Sequence, residues 1–216
     1  MKAPPTTEAA LLERAWAIAG RTVADVAAED ARVVPDLRRH KGFIGELVER
    51  ALGAVAGNLA VPDFPALGVE LKTLPMRDDG RAVESTFVTT VPMGSLLAPW
   101  EESRVQHKLA RVLWIPVVGE QRVFGAPLLW SPSEDELAVL ASDWRLFGEA
   151  VALGETWRIN ARIGEAIQLR PKGASAASTA WVVGEDAEWV QDMRRGVYLR
   201  ARFTTAIFQA RRRSAR

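Results

Sequence analysis

Asp63-Phe-Pro-Ala-Leu-Gly-Val-Glu70-Leu-Lys72 divides a helical stretch of the chain from an extended one. Before it, residues 41–56 (KGFIGELVERALGAVA) place Ile44, Leu47, Val48, Ala51, Leu52 and Val55 at helical spacing, and Gly57-Asn58 ends the run. After it the period falls to two: Val69, Leu71 and Thr73 alternate with Glu70 and Lys72, which predicts a strand. Pro65 and Gly68 permit the chain to bend between the two, so that Asp63 returns beside Glu70.

The flanking sequence repeats this mixture. Residues 7–19 (TEAALLERAWAIA) read as a helix stopped by Gly20, and Thr22 with Asp25 forms a capping box for a short helix to about Ala31. Asp78-Asp79-Gly80 is a turn signal, after which Thr86 to Val91 reads as a strand returning on the first. Arg111 to Val118 and Arg122 to Trp130 predict two strands joined at Gly119-Glu120. Ser133 with Glu136 opens a long helix with Leu137, Leu140, Ala141, Trp144, Phe147 and Val151 inward, ending at Gly154. Ile163 to Arg170 and Val197 to Arg200 predict late strands, and Thr204 or Thr205 a cap for a final helix. Helices flanking a mixed sheet give an α/β fold.

A chain of 216 residues predicts one domain over residues 1–216, with room for two lobes. Hydrophobic residues at 48% and charged residues at 25% exclude a disordered or collagen-like chain. No apolar run approaches the roughly 18 residues of a membrane span, and the N-terminus lacks a secretory pattern, so a cytoplasmic protein without membrane contact is expected. The absence of cysteine excludes disulfides, thiolate zinc sites and a cysteine nucleophile. With only two histidines, any metal must be held mainly by oxygen, which points to magnesium or a similar hard cation.

Charge is segregated. Met193 to Arg216 holds eight arginines and no acid, a local +8 inside a total of +1, which leaves −7 for the other 192 residues. Such an end suits a polyanion. Residues 211–216 read as a solvated, flexible tail, and Arg194 to Arg202 as an ordered basic face. Only five of the 28 basic residues are lysine, a residue suited to sites needing a compact charge with a movable pKa.

Four of those lysines fall in segments that carry chemistry. On a strand Glu70 and Lys72 project side by side while Leu71 turns inward, its carbonyl near the same edge. Asp63, Glu70 and the Leu71 carbonyl form a hard-oxygen metal set, and the Lys72 ammonium can hold a water or neutralise a phosphate oxygen. The same pattern also describes a surface strand with an exposed Glu–Lys pair. Glu49 sits in its helix between Gly45 and Gly53, with Gly42 on the same stripe. That lane suits tight packing or the approach of a nucleic-acid strand, and it offers Glu49 as a third carboxylate. Lys108, before an apolar strand, is either a second phosphate-contacting lysine or a solvated loop residue. Arg170-Pro171-Lys172-Gly173 is an ordinary basic turn or a rigid loop for a DNA groove. Tyr198, the single tyrosine, lies between Arg195 and Arg200 as a base-contacting ring or a core-edge residue.

The segments KGFIGELVERALGA, DFPALGVELKTLP, ESTFV, HKLARVLWIPV, GAPLLWSP, LRPK and RGVYLRARFT, in that order, resemble the MutH family of DNA mismatch repair endonucleases. The resemblance runs from about Leu11 to Ala210. It implies the restriction-endonuclease-like PD-(D/E)xK fold with two arms around a DNA cleft. It further implies a monomeric, Mg2+-dependent enzyme, with Mn2+ as a substitute, that nicks the unmethylated strand of hemimethylated GATC sites and is activated by MutL with MutS. Asp63 and Glu70 match metal carboxylates, Lys72 the catalytic lysine, Glu49 a helix-borne active-site acid and Lys108 a second active-site lysine. Lys172, beside Arg170 and Pro171, matches a base-reading lysine and Tyr198 the ring that senses adenine methylation. Phe87 matches a DNA-contacting phenylalanine, and Lys41 and Gly42 match backbone-contacting positions. A free-standing restriction endonuclease cutting both strands and a non-catalytic DNA-binding module are the alternatives.

Overall fold

The computed structural model describes residues 2–40, 42–55, 61–171, 179–183 and 189–214. Lys41 and Lys172 therefore lie outside the described residues. The chain divides into two compact units, one of residues Met1–Val83, Ala110–Ser131 and Phe208–Arg216, the other of Glu84–Leu109 and Pro132–Ile207.

The first unit opens with three helices, α1 (Glu8–Ile18), α2 (Val23–Glu29) and α3 (Phe43–Leu52). Thr7 caps α1, and the Thr22–Asp25 capping box is present in full. Strand β1 (Glu70–Met76) follows; β3 (Val112–Val118), β4 (Val123–Phe124) and β5 (Leu128–Trp130) join it in a mixed sheet. β1 runs parallel to β3 along its whole length, from Glu70 opposite Val112 to Met76 opposite Val118. β3 is buried from Val112 to Val117, the near-continuous apolar run of a strand covered on both faces. Leu11, Ile18, Val26, Leu47, Val48 and Leu52 from the helices meet Val69, Leu71, Leu113 and Ile115 from the sheet in one core. Each such side chain contributes about 1.5–3 kcal/mol when fully buried.

The second unit carries an antiparallel sheet in the order β2–β8–β6, with β7 also paired to β8. Its strands are β2 (Thr86–Pro92), β6 (Ile167–Pro171), β7 (Thr179–Val183) and β8 (Trp189–Leu199). Helix α4 (Arg104–Leu109) follows β2 in the chain, and α5 (Glu134–Ala152) starts on the expected Ser133–Glu136 capping box. Leu140, Trp144 and Phe147 of α5 are buried as its spacing predicts. The last helix, α6 (Ala201–Ser214), follows β8 directly.

The α/β class holds, and four local expectations change. Thr86 to Val91 does not return onto β1; it pairs with β8 in the other sheet. Helix α3 ends at Leu52 because Gly53 takes the left-handed conformation, φ 84°, and Val55, expected on its core face, is 49% exposed. The second of the two middle strands is broken into β4 and β5. Thr204 is no cap: it lies inside α6, and its hydroxyl donates to the Ala201 carbonyl at 3.2 Å. No helix among the described residues is long and apolar enough to cross a membrane.

Candidate active site

In the first unit the bend before β1 closes as a tight antiparallel pair. Phe64 N–H donates to the Val69 carbonyl at 2.9 Å, and Val69 N–H donates back to the Phe64 carbonyl at 3.3 Å. A 3-10 turn at Pro65–Leu67 and Gly68 in the left-handed region, φ 64°, complete the reversal. Gly68 is needed there because a side chain strains that conformation. Since Phe64 pairs with Val69, Asp63 falls opposite Glu70.

Asp63 Oδ2 accepts the Leu71 N–H at 2.7 Å. Glu70 N–H points the other way, to the Arg111 carbonyl at 2.9 Å on the β3 side. Successive residues of a strand alternate in this way, and the N–H and C=O of one residue leave on the same edge. The Leu71 carbonyl therefore shares the free edge of β1 with Asp63, while the Leu71 side chain is buried in the core.

Glu70 is 2% exposed, and its Oε1 accepts from the Lys72 ammonium at 2.6 Å. A surface pair would be solvated and nearly neutral in energy. A buried carboxylate instead requires its partner, because desolvation of an unpaired charge costs several kcal/mol. Glu49 on α3 completes the group. Burial raises its carboxyl above the usual range, the negative charges of Asp63 and Glu46 raise it further, Lys72 opposes this, and Glu70 adds to it. Three carboxylates thus face one ammonium, an excess of negative charge that suits a divalent cation. Among the described residues no three His, Cys, Asp or Glu side chains are grouped so that they could hold a metal ion between them. The donors that fit are an open set, Asp63, Glu70 and the Leu71 carbonyl, and a small hard cation retains waters in such a set.

The Glu49 shift has a measurable consequence. A carboxyl raised in the folded state favours folding below its ordinary value, about 4.3, and that advantage is lost as pH rises through the folded value. In magnesium-free buffer, Glu49→Gln is expected to melt above the wild type at pH 8, with the difference closing as the pH falls to that ordinary value. Thermal melts at matched ionic strength measure it; a variant that melts below the wild type at pH 8 contradicts the repulsion.

The glycine lane around Glu49 reduces to one position. Gly42 is the residue before the first turn of α3 and Gly53 the residue after its last, so both belong to the helix ends. Gly45 alone is interior, and a Cβ there would meet nothing within 4 Å. Tight packing does not explain it.

In the second unit, β2, β8 and β6 bring the separated candidates Phe87, Tyr198 and Arg170 together. Phe87, Tyr198 and Gln168 stand opposite one another across the sheet. The Phe87 and Tyr198 rings meet edge to face at 5.4 Å, and the Arg170 guanidinium lies 4.8 Å from the centre of the Tyr198 ring. Phe87, Arg170 and Pro171 are exposed and Tyr198 is half-buried. Lys108, for which a second phosphate-contacting lysine and a solvated loop residue are the alternatives, stands near the end of α4 rather than in a loop and is half-buried.

The expected basic face is smaller than the sequence implied. Arg200 donates to the Ala161 and Ile163 carbonyls, and Arg202 to those of Glu165 and Gly164. Their guanidinium groups hold the segment before β6; of the arginines from 194 to 202, Arg194 and Arg202 are exposed and Arg195 and Arg200 half-buried. Asp143 on α5 holds the same segment through its N–H groups and was not evident from sequence. It is 5% exposed and accepts from the backbone of Glu165, Ala166 and Ile167 at 2.7–2.9 Å. The signal available was an acid placed between the inward positions Leu140, Trp144 and Phe147.

The model of a family described as DNA mismatch repair enzyme MutH matches residues 52–143. The DNA mismatch repair protein MutH of Enterobacter sp. (strain 638) is 44% identical over 215 residues, covering 96% of this chain and 94% of that protein. Those of Serratia proteamaculans (strain 568) and Escherichia coli O139:H28 are 44% and 46% identical over 212 residues, each covering 94% of this chain and 93% of the relative. The mixed α/β architecture is that of the restriction-endonuclease-like nucleases. The match spans both compact units rather than the carboxylate segment alone. The chain belongs to the MutH family of DNA mismatch repair enzymes, and is an endodeoxyribonuclease of DNA repair.

Proposed function

We propose that this endonuclease is Mg2+-dependent and nicks the unmethylated strand of hemimethylated GATC sites, with Asp63, Glu70, Lys72 and Glu49 as its active site. The observation that carries this is Glu70, buried and paired with Lys72, with Asp63 folded back across from it. Asp63, Glu70 and the Leu71 carbonyl would hold the magnesium ion, and Mn2+ would fit the same oxygen donors. A magnesium ion held by these oxygens would supply a lowered pKa for a bound water and polarisation of a phosphoryl oxygen. Lys72 cannot be a ligand while charged; its ammonium orients the attacking water and offsets the charge that grows on the phosphate. Glu49, whose carboxyl burial and the charge of Asp63 raise above the ordinary range, would accept a proton from the attacking water. Water adds to phosphorus as its proton passes to Glu49, the bond to one bridging oxygen breaks, and that oxygen takes a proton from solvent, leaving a nick with a terminal phosphate and a terminal hydroxyl. Lys108 supplies a second positive charge to the phosphate.

Recognition falls to Phe87, Arg170, Pro171, Lys172 and Tyr198, with Lys41 and Gly42 on the backbone. Tyr198 senses the adenine methyl group, and Lys172 reads a base edge in the major groove. Lys172→Ala is expected to cost roughly 1–3 kcal/mol on a GATC duplex and to lower the ratio of specific to random binding. Equal weakening on both DNAs, measured at one salt concentration, rejects the base-reading role.

The enzyme acts as a cytoplasmic monomer, one endonuclease over residues 1–216, activated by MutL with MutS. One assay tests the whole proposal: supercoiled plasmid and a GATC duplex in unmethylated, hemimethylated and fully methylated forms, with and without MutL. Nicked circles, fastest with the activator and absent from fully methylated DNA, are expected. Rapid linear product without MutL overturns the proposal in favour of a restriction endonuclease, and no turnover with Mg2+ or Mn2+ in favour of a DNA-binding module.

A further inference from the structure

We propose that Gly196 is a positioning residue for sequence discrimination: its missing side chain opens the space into which the Tyr198 ring lies back to meet Arg170. The inference rests on the proposed DNA-contacting role of Tyr198 and Arg170.

Positions 196 and 198 share one face of β8. The neighbouring strand β6 sets Arg170 opposite Gly196 and Gln168 opposite Tyr198. Tyr198 would therefore reach Arg170 only diagonally, across position 196. A Cβ added at Gly196 would stand 2.7 Å from Tyr198 Cε2, 3.3 Å from its Oη and 3.4 Å from its Cζ. The ring thus occupies the space that a side chain at 196 would fill, and from there it meets the Arg170 guanidinium at 4.8 Å. Gly196 is not among the glycines with positive φ. The backbone would accept alanine, so the demand for glycine comes from the ring.

Two further contacts complete the arrangement. Ser85 Oγ accepts from Arg170 Nη2 at 3.2 Å and from the Nε2 of Gln168, which is 3% exposed. Phe87 closes the ring's other side. Cation and ring are therefore set before DNA arrives, and less side-chain freedom is lost on binding. An alanine at 196 displaces the ring from the cation while leaving the sheet's hydrogen bonds in place.

The test compares Gly196→Ala, Tyr198→Ala and the double variant by equilibrium binding. The probes are a GATC duplex and the same duplex with one base pair of the site changed. Tyr198 is the only tyrosine, so 13C-labelled tyrosine gives a single set of ring resonances to follow. Gly196→Ala is expected to shift those resonances and to lower discrimination about tenfold. Adding it to Tyr198→Ala is expected to change nothing further, because no ring remains to be displaced. Unmoved resonances, full discrimination in Gly196→Ala beside a loss in Tyr198→Ala, or a double variant worse than Tyr198→Ala overturns the positioning role. Full discrimination in Tyr198→Ala overturns the DNA-contacting role of the ring itself, and the inference with it. Should Gly196→Ala not fold, Ser85→Ala serves as the second variant. It is expected to move the tyrosine resonances and weaken discrimination, with Ser85→Thr restoring both; no change on losing the hydroxyl overturns the arrangement.

Discussion

Glu70→Ala is expected to abolish nicking, by a thousandfold or more, while DNA binding largely survives, and Lys72→Ala is expected to do the same. The two side chains act as a pair. Glu70 is 2% exposed and the Lys72 side chain 17% exposed, with 2.6 Å between their charged atoms. Removing Glu70 would delete a proposed metal ligand and the ammonium's ion-pair partner; removing Lys72 would take the paired ammonium from a buried carboxylate. Either change alters where charge sits at the phosphate, not how much positive surface the protein offers the DNA backbone. Binding, which depends on phosphate contacts over the whole footprint, should lose little. Glu70→Gln separates chemistry from folding, since it keeps shape and polarity and removes the anion. Conversion of supercoiled plasmid to nicked circles measures the rate, anisotropy of a labelled duplex measures binding, and a chelator should abolish nicking by the wild type. A Glu70→Gln enzyme within tenfold of wild type, or nicking that survives chelation, rejects the oxygen-ligand mechanism.

Asp143→Ala is expected to be the most destabilising single change in the second unit. Its carboxylate accepts from three consecutive backbone N–H groups, at Glu165, Ala166 and Ile167. Ala166 and Ile167 are fully buried, so no water replaces the lost acceptor. Each buried donor left without a partner costs about 1–3 kcal/mol, which puts the loss at roughly 2–6 kcal/mol. Against a typical domain stability of about 5–15 kcal/mol this is large. Asp143→Asn retains one acceptor oxygen and should fall between. Urea denaturation followed by tryptophan fluorescence measures both. The segment that Asp143 holds leads into β6, which carries Arg170, so discrimination between DNA sites should fall along with stability. A melting midpoint unchanged in Asp143→Ala contradicts the account.

Much of the geometry around Asp63, Glu70 and Lys72 was legible because it is local. The reversal at Pro65–Gly68 is closed by hydrogen bonds between Phe64 and Val69, residues five apart. A period of two puts Glu70 and Lys72 on one face whatever strand lies alongside. The capping boxes at Thr22 and Ser133 were legible for the same reason, each being a contact across three residues. Basic residues were harder to place. Arg200 and Arg202 look like a nucleic-acid face in a charge count, but their guanidinium groups meet the carbonyls of residues 161–165. Composition records a charge and not the group that neutralises it.

The sequence by itself determined the α/β class, the faces of the helices, and the local set of Asp63, Glu70 and Lys72. Only the tertiary structure decided that β1 lies parallel to β3 while β2 joins β8, that Glu70 is buried rather than solvated, and that Gly196 makes room for Tyr198. The division has one physical cause. Periodicity and turn chemistry act over a few residues and set which way a side chain points. The choice of partner strand, and the water it excludes, depends on apolar surfaces far apart in the chain that meet only when the whole core forms.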